Sequence, residues 1–275
     1  MRSRVPMPSR FERAAEAYLA GDMAVVVPRD ASTVVLVRDT TSGLEVYLLR
    51  RQTSMAFAPG MYVFPGGGVD VRDLDASIAW AGPSPAQWAQ RLGCSESLAR
   101  ALVAAAVRET FEESGVLLAG ESPGAVVADV SGPAWERDRE ALESRVLSFA
   151  AFLERRELVL RTDLLAPWTH WITPEFEPRR YDTRFFVAAL PVGQRTRDIL
   201  GEADRVGWMT PAHAVAGVES GTMAMLPPTY VTCSELTALP SAADVLMATR
   251  DRVIAPIMPR VVREGDTTYL DAELP

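Results

Sequence analysis

The eight residues RETFEESG, at positions 108–115, restrict the fold and the chemistry of this chain more than any other segment. Their spacing predicts the end of a helix that stops at Gly115, a residue suited to a helix C-cap. At about 100° per residue, Glu109, Glu112 and Glu113 fall on one stripe of that helix. The helix dipole disfavours anions at this end, so the stripe needs a nearby cation. Carboxylate oxygens are the ligands that Mg²⁺ and similar hard ions prefer.

A second interpretation is that the acidic stripe is a solvent-exposed helix face. Arg108 and Glu112 have the i, i+4 spacing of an ordinary surface ion pair, which requires no metal. The upstream segment PGGGVD, at positions 65–70, favours the metal-binding interpretation. Glycines at Gly66 and Gly67 let the backbone turn sharply at the end of a predicted strand and approach a ligand closely.

The glycine turn and the acidic helix together resemble the Nudix box, G-x5-E-x7-R-E-U-x-E-E-x-G-U, in which U is apolar. Gly67 matches the first glycine, Asp73 stands where the box has its first Glu, and residues 108–116 fill the second half, with Thr110 at the first apolar position. The box has seven residues between the first acid and the Arg, whereas this chain has 34.

Such an insertion is typical of one branch of Nudix hydrolases, that of the peroxisomal coenzyme A diphosphatase and its bacterial relatives. Four segments are similar to that branch: FAPGMYVFPGGGVD (57–70), AAVRETFEESGVLL (105–118), DLLAPWTHWITP (163–174) and PRRYDTRFFVAALP (178–191). The resemblance implies an α/β fold, the Nudix α/β/α sandwich, with a mixed β-sheet and a helical insertion at about 74–100.

The resemblance also implies a site and a reaction, the hydrolysis of a diphosphate joined to another group. Its expected metal-binding residues are Gly66, Gly67, Glu109, Glu112 and Glu113, with Mg²⁺ as the ion and Mn²⁺ as an alternative. The expected catalytic residues are Arg108, which orients the carboxylates, Glu109 or Glu112, which accepts a proton from water, and Glu202, an acid outside the box. Asp204, Glu175 and Asp182 are alternatives to Glu202.

Arginine residues provide candidate phosphate ligands, because a guanidinium group binds phosphate through two hydrogen bonds and an aromatic ring stacks on a base. The predicted substrate-binding residues are Arg50, Arg51, Arg179, Arg180, Tyr181 and Arg184. All 28 basic residues of the chain are arginine. The absence of lysine excludes Schiff-base and P-loop chemistry and, with the absence of asparagine, indicates a GC-rich, bacterial genome.

Composition and periodicity predict one domain over residues 1–275, with a helix at 9–20 and C-terminal helices and a hairpin at 229–270. A single helix is expected over 135–156 and a strand over 116–118. The net charge of −8 argues against nucleic-acid binding. No run is apolar enough for a membrane span, and the two cysteines, Cys94 and Cys233, suggest reduced thiols in a cytoplasmic protein. The family resemblance makes a homodimer an expectation.

The leading functional hypothesis is a metal-dependent hydrolase that cleaves the diphosphate of coenzyme A, an acyl-coenzyme A or a related nucleoside diphosphate derivative. One alternative keeps the reaction and changes the substrate to NADH, a dinucleoside polyphosphate or a nucleotide sugar. A second alternative is a catalytically silent Nudix-like ligand sensor.

Overall fold

The computed structural model describes residues 2–54, 58–197, 203–265 and 267–274. Its strands are β1 (Arg2–Pro6), β2 (Arg29–Thr40), β3 (Gly43–Arg51), β4 (Tyr62–Val63), β5 (Gly66–Gly68), β6 (Trp80–Ala81), β7 (Ala119–Gly120), β8 (Val159–Arg161), β9 (Ala166–Ile172), β10 (Tyr181–Ala189), β11 (Ala203–Met209), β12 (Pro256–Ile257), β13 (Arg260–Glu264) and β14 (Thr267–Glu273). Its helices are α1 (Ser9–Ala20), α2 (Pro85–Leu92), α3 (Glu96–Ser114), α4 (Pro133–Glu143), α5 (Phe149–Arg155), α6 (Pro211–Glu219), α7 (Pro227–Leu236) and α8 (Ala242–Ala248).

The central mixed sheet has the strand order β11-β3-β2-β10-β9-β12. β2 runs parallel to β10, and β12 runs parallel to β9, while the other neighbours along this path are antiparallel. β3 pairs with only the last part of β2, from Val37 to Thr40. β5 pairs with the first part of β2, from Ala31 to Thr33. The sheet therefore splits along β2, and the glycine strand fills the split.

Alternating residues of the central strands supply two separate hydrophobic cores. On β2, Val34 and Leu36 belong to a core with α2, α3 and α5, whereas Val35 and Val37 belong to a core with α7 and α8. Successive side chains of a strand point to opposite faces, and a strand covered on both faces is apolar throughout. Helices therefore cover both faces of the sheet, and the predicted α/β/α sandwich is confirmed.

The predicted insertion forms β6, α2 and the first turn of α3. α2 begins with a capping box at Ser84, whose side chain accepts a hydrogen bond from the Gln87 N–H, and it ends at Gly93 in the left-handed conformation. Trp88 of α2 is fully buried, with its ring centroid 5.7 Å from that of Phe186 in β10. The insertion is therefore packed into the core through this indole.

Two sequence expectations for the segment that follows α3 were wrong. Residues 135–156 form two helices, because α4 ends before Arg145 (φ 60°) and α5 starts again at the Ser148 cap. α5 is buried through Phe152, which stacks on Phe111 of α3 with centroids 5.3 Å apart. The predicted strand at 116–118 is instead a buried segment, and the strand that follows α3 is β7.

The two ends of the chain meet in a second sheet, of order β1-β14-β13. The C-terminal hairpin of β13 and β14 was expected, but its pairing with β1 was not, because such a pairing leaves no local pattern in the sequence. α1 packs beside this sheet in a small cluster that contains Phe11, Phe176 and Leu270. In the part of the chain that the structure describes, no helix combines the length and the apolar character that crossing a bilayer requires.

Candidate active site

The acidic stripe lies on the last turns of α3, a helix with clear ends. Ser95 caps its start by accepting a hydrogen bond from the Leu98 N–H at 3.2 Å. Gly115 (φ 73°) ends it, and its N–H donates to the carbonyl of Phe111. The alanines and other apolar residues of α3 bury its remaining faces in the core, so the stripe is the polar face that is left.

The glycine strand β5 packs directly against this stripe. The Gly66 N–H donates a hydrogen bond of 2.7 Å to Oε2 of Glu113. Gly67 also lies close to the stripe, because a Cβ placed there would lie 2.5 Å from the carboxyl carbon of Glu109. A side chain at either position would displace its neighbours, which gives a physical reason for glycine in this turn.

Arg108 joins the stripe to the start of the insertion. Its guanidinium donates two hydrogen bonds to Asp73, at 3.0 and 2.9 Å, and one of 3.1 Å to the carbonyl of Gly68. It also donates to Glu109 at 2.8 Å and to Glu112 at 3.3 Å. Burial opposes the charge of Arg108, but Asp73 and the two glutamates outweigh that effect and raise its pKa, so it stays protonated.

Asp73 has a structural role in this network. It is the third residue of a short 3-10 helix, Val71–Leu74, where its Oδ2 accepts a hydrogen bond of 2.8 Å from the N–H of Asp70. Its side chain is 1% exposed and forms the two-bond ion pair with Arg108. The acid at the first acidic position of the box therefore anchors the arginine.

The carboxylates of the stripe carry more negative charge than Arg108 balances. Burial and the charge of Glu109 together raise the pKa of Glu112 to about 7, against the opposing effect of Arg108. Among the described residues, no group of three or more His, Cys, Asp or Glu side chains has the arrangement of a formed metal site. The donor chemistry nevertheless fits a hard divalent cation, because clustered carboxylate oxygens with excess charge are what such an ion binds.

The stripe faces a large cavity of about 840 Å³. Glu109, Glu112 and Glu113 all line this cavity, together with the glycine strand and Arg108. The volume is within the range of small-molecule sites, about 300–1,000 Å³. The interpretation of the octet as a solvated surface face is therefore not supported, because the glutamates lie at the wall of a cleft.

Comparison with known proteins agrees with this geometry. Residues 94–236, slightly more than half of the chain, match the model of the NUDT19 Nudix domain. The chain belongs to this family. The glycine strand and Asp73 precede the matched span, so the two halves of its Nudix box lie on either side of that boundary.

Three curated relatives are similar to most of the chain. Putative nudix hydrolase 7 of Caenorhabditis elegans is 27% identical over 255 residues, which cover 88% of this chain and 75% of the relative. Acyl-coenzyme A diphosphatase NUDT19 of Xenopus laevis is 25% identical over 232 residues, 72% of this chain and 61% of the relative. The human protein of the same name is 26% identical over 275 residues, 87% of this chain and 72% of the relative.

A solved structure supports the fold as well. The NUDIX hydrolase from Alicyclobacillus acidocaldarius has a TM-score of 0.71 and 28% identity, with 82% of this chain and 97% of that chain covered. The predicted Nudix resemblance is thus confirmed, and the protein is a Nudix hydrolase that acts on pyrophosphate bonds.

The cavity in front of the Nudix helix includes only part of the predicted substrate-binding set. Arg51, Arg179 and Tyr181 line it. Arg50, Arg180 and Arg184 are not among the lining residues.

The last three arginines are held by other contacts. Arg50 pairs with Asp204 of β11 at 2.6 and 2.7 Å. Arg180 is buried and donates to the carbonyls of Thr173 and Val26, at 3.0 and 2.7 Å. Alternation along β3 turns Arg50 away from the cavity, while its sequence neighbour Arg51 lines it.

Arg184 is buried in the sheet beside Asp182, to which it donates a hydrogen bond, and it lies 3.7 Å from Asp30. His170 shares the same Asp182 carboxylate. Burial opposes ionisation of Asp182, but His170 and Arg184 outweigh it and lower its pKa. Arg184 therefore balances the neighbouring acids Asp182 and Asp30 instead of pointing to a ligand.

The acid expected outside the Nudix box, Glu202, lies outside the residues that the structure describes. The three alternatives all have partners, since Asp204 pairs with Arg50, Asp182 with His170 and Arg184, and Glu175 accepts a hydrogen bond from the hydroxyl of Tyr18.

Sequence reasoning missed three cavity arginines, Arg29, Arg72 and Arg145. Arg29 begins β2 and Arg145 lies in the break between α4 and α5, so each reaches the cavity through tertiary packing. Arg72 lies within the first half of the box, one residue before Asp73, and this position was the one local signal available. In the structure it pairs with Asp70 at 2.9 Å.

Proposed function

We propose that this protein hydrolyses the diphosphate linkage of coenzyme A or of an acyl-coenzyme A. The main support is the acidic stripe of α3, which packs against the glycine strand at the wall of a ligand-sized cavity. NUDT19 acyl-coenzyme A diphosphatases are among the relatives of the chain. Hydrolysis at the diphosphate would release 3′,5′-ADP and a 4′-phosphopantetheine.

Glu109, Glu112 and Glu113, with a carbonyl of Gly66 or Gly67, are the groups that would hold a divalent cation, and Mg²⁺ is the ion we propose. A bound ion of this kind neutralises the phosphate oxygens and lowers the pKa of a water molecule. The carboxylates supply the oxygen donors that Mg²⁺ and Mn²⁺ accept.

The remaining roles belong to side chains of the protein. Arg108 fixes Glu109 and Glu112 through its hydrogen bonds and is itself held by Asp73. Glu109 or Glu112 accepts the proton of the attacking water. Glu202 is the proposed acid outside the box.

Binding of the substrate outside the diphosphate is assigned to the cavity wall. Arg51 and Arg179 are placed to bind phosphate oxygens, and Tyr181 offers a ring for the base. A separate apolar stretch, Leu226–Pro228, lines the cavity at the start of α7 and suits the less polar pantetheine or acyl arm.

The test is a substrate panel with Mg²⁺ in which both products are identified by mass. The panel contains coenzyme A, an acyl-coenzyme A, NADH, a dinucleoside polyphosphate and a nucleotide sugar. The proposal expects 3′,5′-ADP from the first two substrates and loss of that activity when EDTA removes the metal. Preferential cleavage of another diphosphate would replace the substrate assignment, and metal-independent binding without turnover would indicate a sensor.

A further inference from the structure

One end of the cavity combines arginine and aromatic side chains. It is formed by α1, the start of β2, the segment between β9 and β10 and the start of β10, and we call it the basic-aromatic end. Its defining residues are Phe11, Arg29, Phe176, Arg179 and Tyr181. α1 and the start of β2 precede the span that matches the family model, so part of this end is built outside that span.

Strand pairing brings these residues together. β2 and β10 run parallel, with Arg29 paired to Tyr181 in register. The N–H of Arg29 donates a hydrogen bond of 2.9 Å to the carbonyl of Arg180. Arg179 lies two residues before Tyr181 and faces the same cavity. Two arginines and one tyrosine therefore line the same part of the cavity wall.

Among the described residues, no ion pair balances the charges of these two arginines. Both side chains are exposed, and within the described part of the chain neither forms a hydrogen bond or an ion pair. The acids at this end do not account for them, because Asp30 lies 3.7 Å from Arg184 and Glu177 has a contact of its own. In a protein of net charge −8, two free arginines at a cavity wall indicate an anionic ligand.

The aromatic residues indicate what accompanies that anion. Phe176 is buried and holds Phe11 in an edge-to-face contact, with centroids 5.6 Å apart. Tyr181 is partly exposed to the cavity. A flat apolar surface with two guanidinium groups beside it suits a nucleoside that carries a phosphomonoester.

We infer that the basic-aromatic end binds the adenosine of the substrate and that Arg29 and Arg179 together recognise its 3′-phosphate. The two arginines would thus make the protein prefer coenzyme A over diphosphates of the same shape that lack the 3′-phosphate. The inference rests on the proposed function, and it concerns which residues set the substrate preference.

The test compares coenzyme A with dephospho-coenzyme A, which differs only in lacking the 3′-phosphate. The variants are Arg29→Gln, Arg179→Gln and the double variant, with Arg13→Gln as the matched control. Arg13 is an exposed arginine of α1 that does not line the cavity, so its substitution makes the same change in charge nearby. Since the replaced side chains are exposed, thermal melting is expected to show unchanged folding for all variants.

The wild-type protein is expected to favour coenzyme A in kcat/KM. Each single substitution should lower kcat/KM for coenzyme A by roughly tenfold, because a hydrogen bond to a charged group is lost. The kcat/KM for dephospho-coenzyme A should fall by less than about twofold, because this substrate lacks the 3′-phosphate. Calorimetry on the metal-free protein gives a reading without turnover, in which 3′,5′-ADP should bind more tightly than AMP and the double variant should lose the difference.

Equal losses on both substrates, or no preference for 3′,5′-ADP over AMP, would overturn the assignment of the arginine pair. Those results would leave the proposed diphosphatase function intact. Absence of coenzyme A hydrolysis by the wild-type protein would instead refute the function, while the binding comparison would still report on the arginines.

Discussion

Alanine substitutions at the three consecutive glycines of β5 should have three different effects. None of these glycines has a backbone φ in the left-handed region, so alanine suits the backbone at each position. The difference lies in what the new Cβ would contact. Gly67 faces a side chain of the acidic stripe, Gly66 faces the backbone of the adjacent strand, and Gly68 faces open space.

In Gly67→Ala, the Cβ would lie 2.5 Å from Oε1 of Glu109, whereas ordinary contacts begin at 3.4 Å. The carboxylate must therefore retreat by about 0.9 Å. Because it is the end of a flexible side chain, the cost in folding free energy should be about 1 kcal/mol. A displacement of this size in a catalytic group lowers turnover by about 100-fold.

Gly66→Ala would instead place its Cβ 2.5 Å from the carbonyl oxygen of Ser32 and 2.7 Å from the Cα of Thr33. These backbone atoms cannot rotate away, so the variant should lose about 1–3 kcal/mol of stability. Gly68→Ala meets nothing within 4 Å and is the matched control, with stability expected within about 0.5 kcal/mol of the wild type.

Urea unfolding and steady-state hydrolysis of coenzyme A with Mg²⁺ measure the two properties separately. The expected result is a stable but nearly inactive Gly67→Ala, a destabilised Gly66→Ala and an unaffected Gly68→Ala. Wild-type turnover in Gly67→Ala, or an equal loss in Gly68→Ala, would show that the glycine strand does not position Glu109 for catalysis.

Three further outcomes are expected from the same site. Glu113→Gln should lower kcat by about 100-fold or more, because metal binding weakens. Its melting temperature should not change, because the amide oxygen can still accept the hydrogen bond from the Gly66 N–H. Near-normal turnover would contradict the assignment of Glu113 as a metal ligand. Asp73→Asn should cost about 3 kcal/mol in urea unfolding, since it leaves the buried Arg108 without its main partner, and a loss below about 1 kcal/mol would argue against that role. In metal-free protein, the unfolded chain releases the Glu112 proton near pH 4.5, while burial and Glu109 hold it in the folded protein until about pH 7. Its contribution to stability is therefore complete below pH 4.5 and is lost as the pH rises to 7, and Glu112→Gln should remove this slope from unfolding curves measured across that range.

Local sequence patterns were sufficient for the box and for many of the elements. The spacing of the glutamates placed them on one helix face, and Gly115 marked the end of that helix, because both signals depend only on backbone periodicity. The C-terminal hairpin of β13 and β14 was likewise expected from a local pattern. The helix in the insertion was also expected, although nothing local indicated that Trp88 would anchor it in the core.

Predictions failed where the partner of a residue lies far away in the chain. The helical pattern at 135–156 is continuous in the sequence and did not indicate the break before α5. The helix α5 is buried because its Phe152 stacks on Phe111 of α3. Neighbouring arginines such as Arg179 and Arg180 were equivalent candidates in sequence. They have different surroundings because one faces the cavity and the other donates to backbone carbonyls.

The sequence by itself determined the acidic helix face, the glycine turn and the long interval between them, since each is a property of neighbouring residues. Only the tertiary structure decided that the turn and the helix touch, that Asp73 holds Arg108, and which arginines face the cavity. The physical reason is that sheet pairing and side-chain packing join residues tens to hundreds of positions apart. Such contacts depend on the whole arrangement of strands and helices, so no local pattern specifies them.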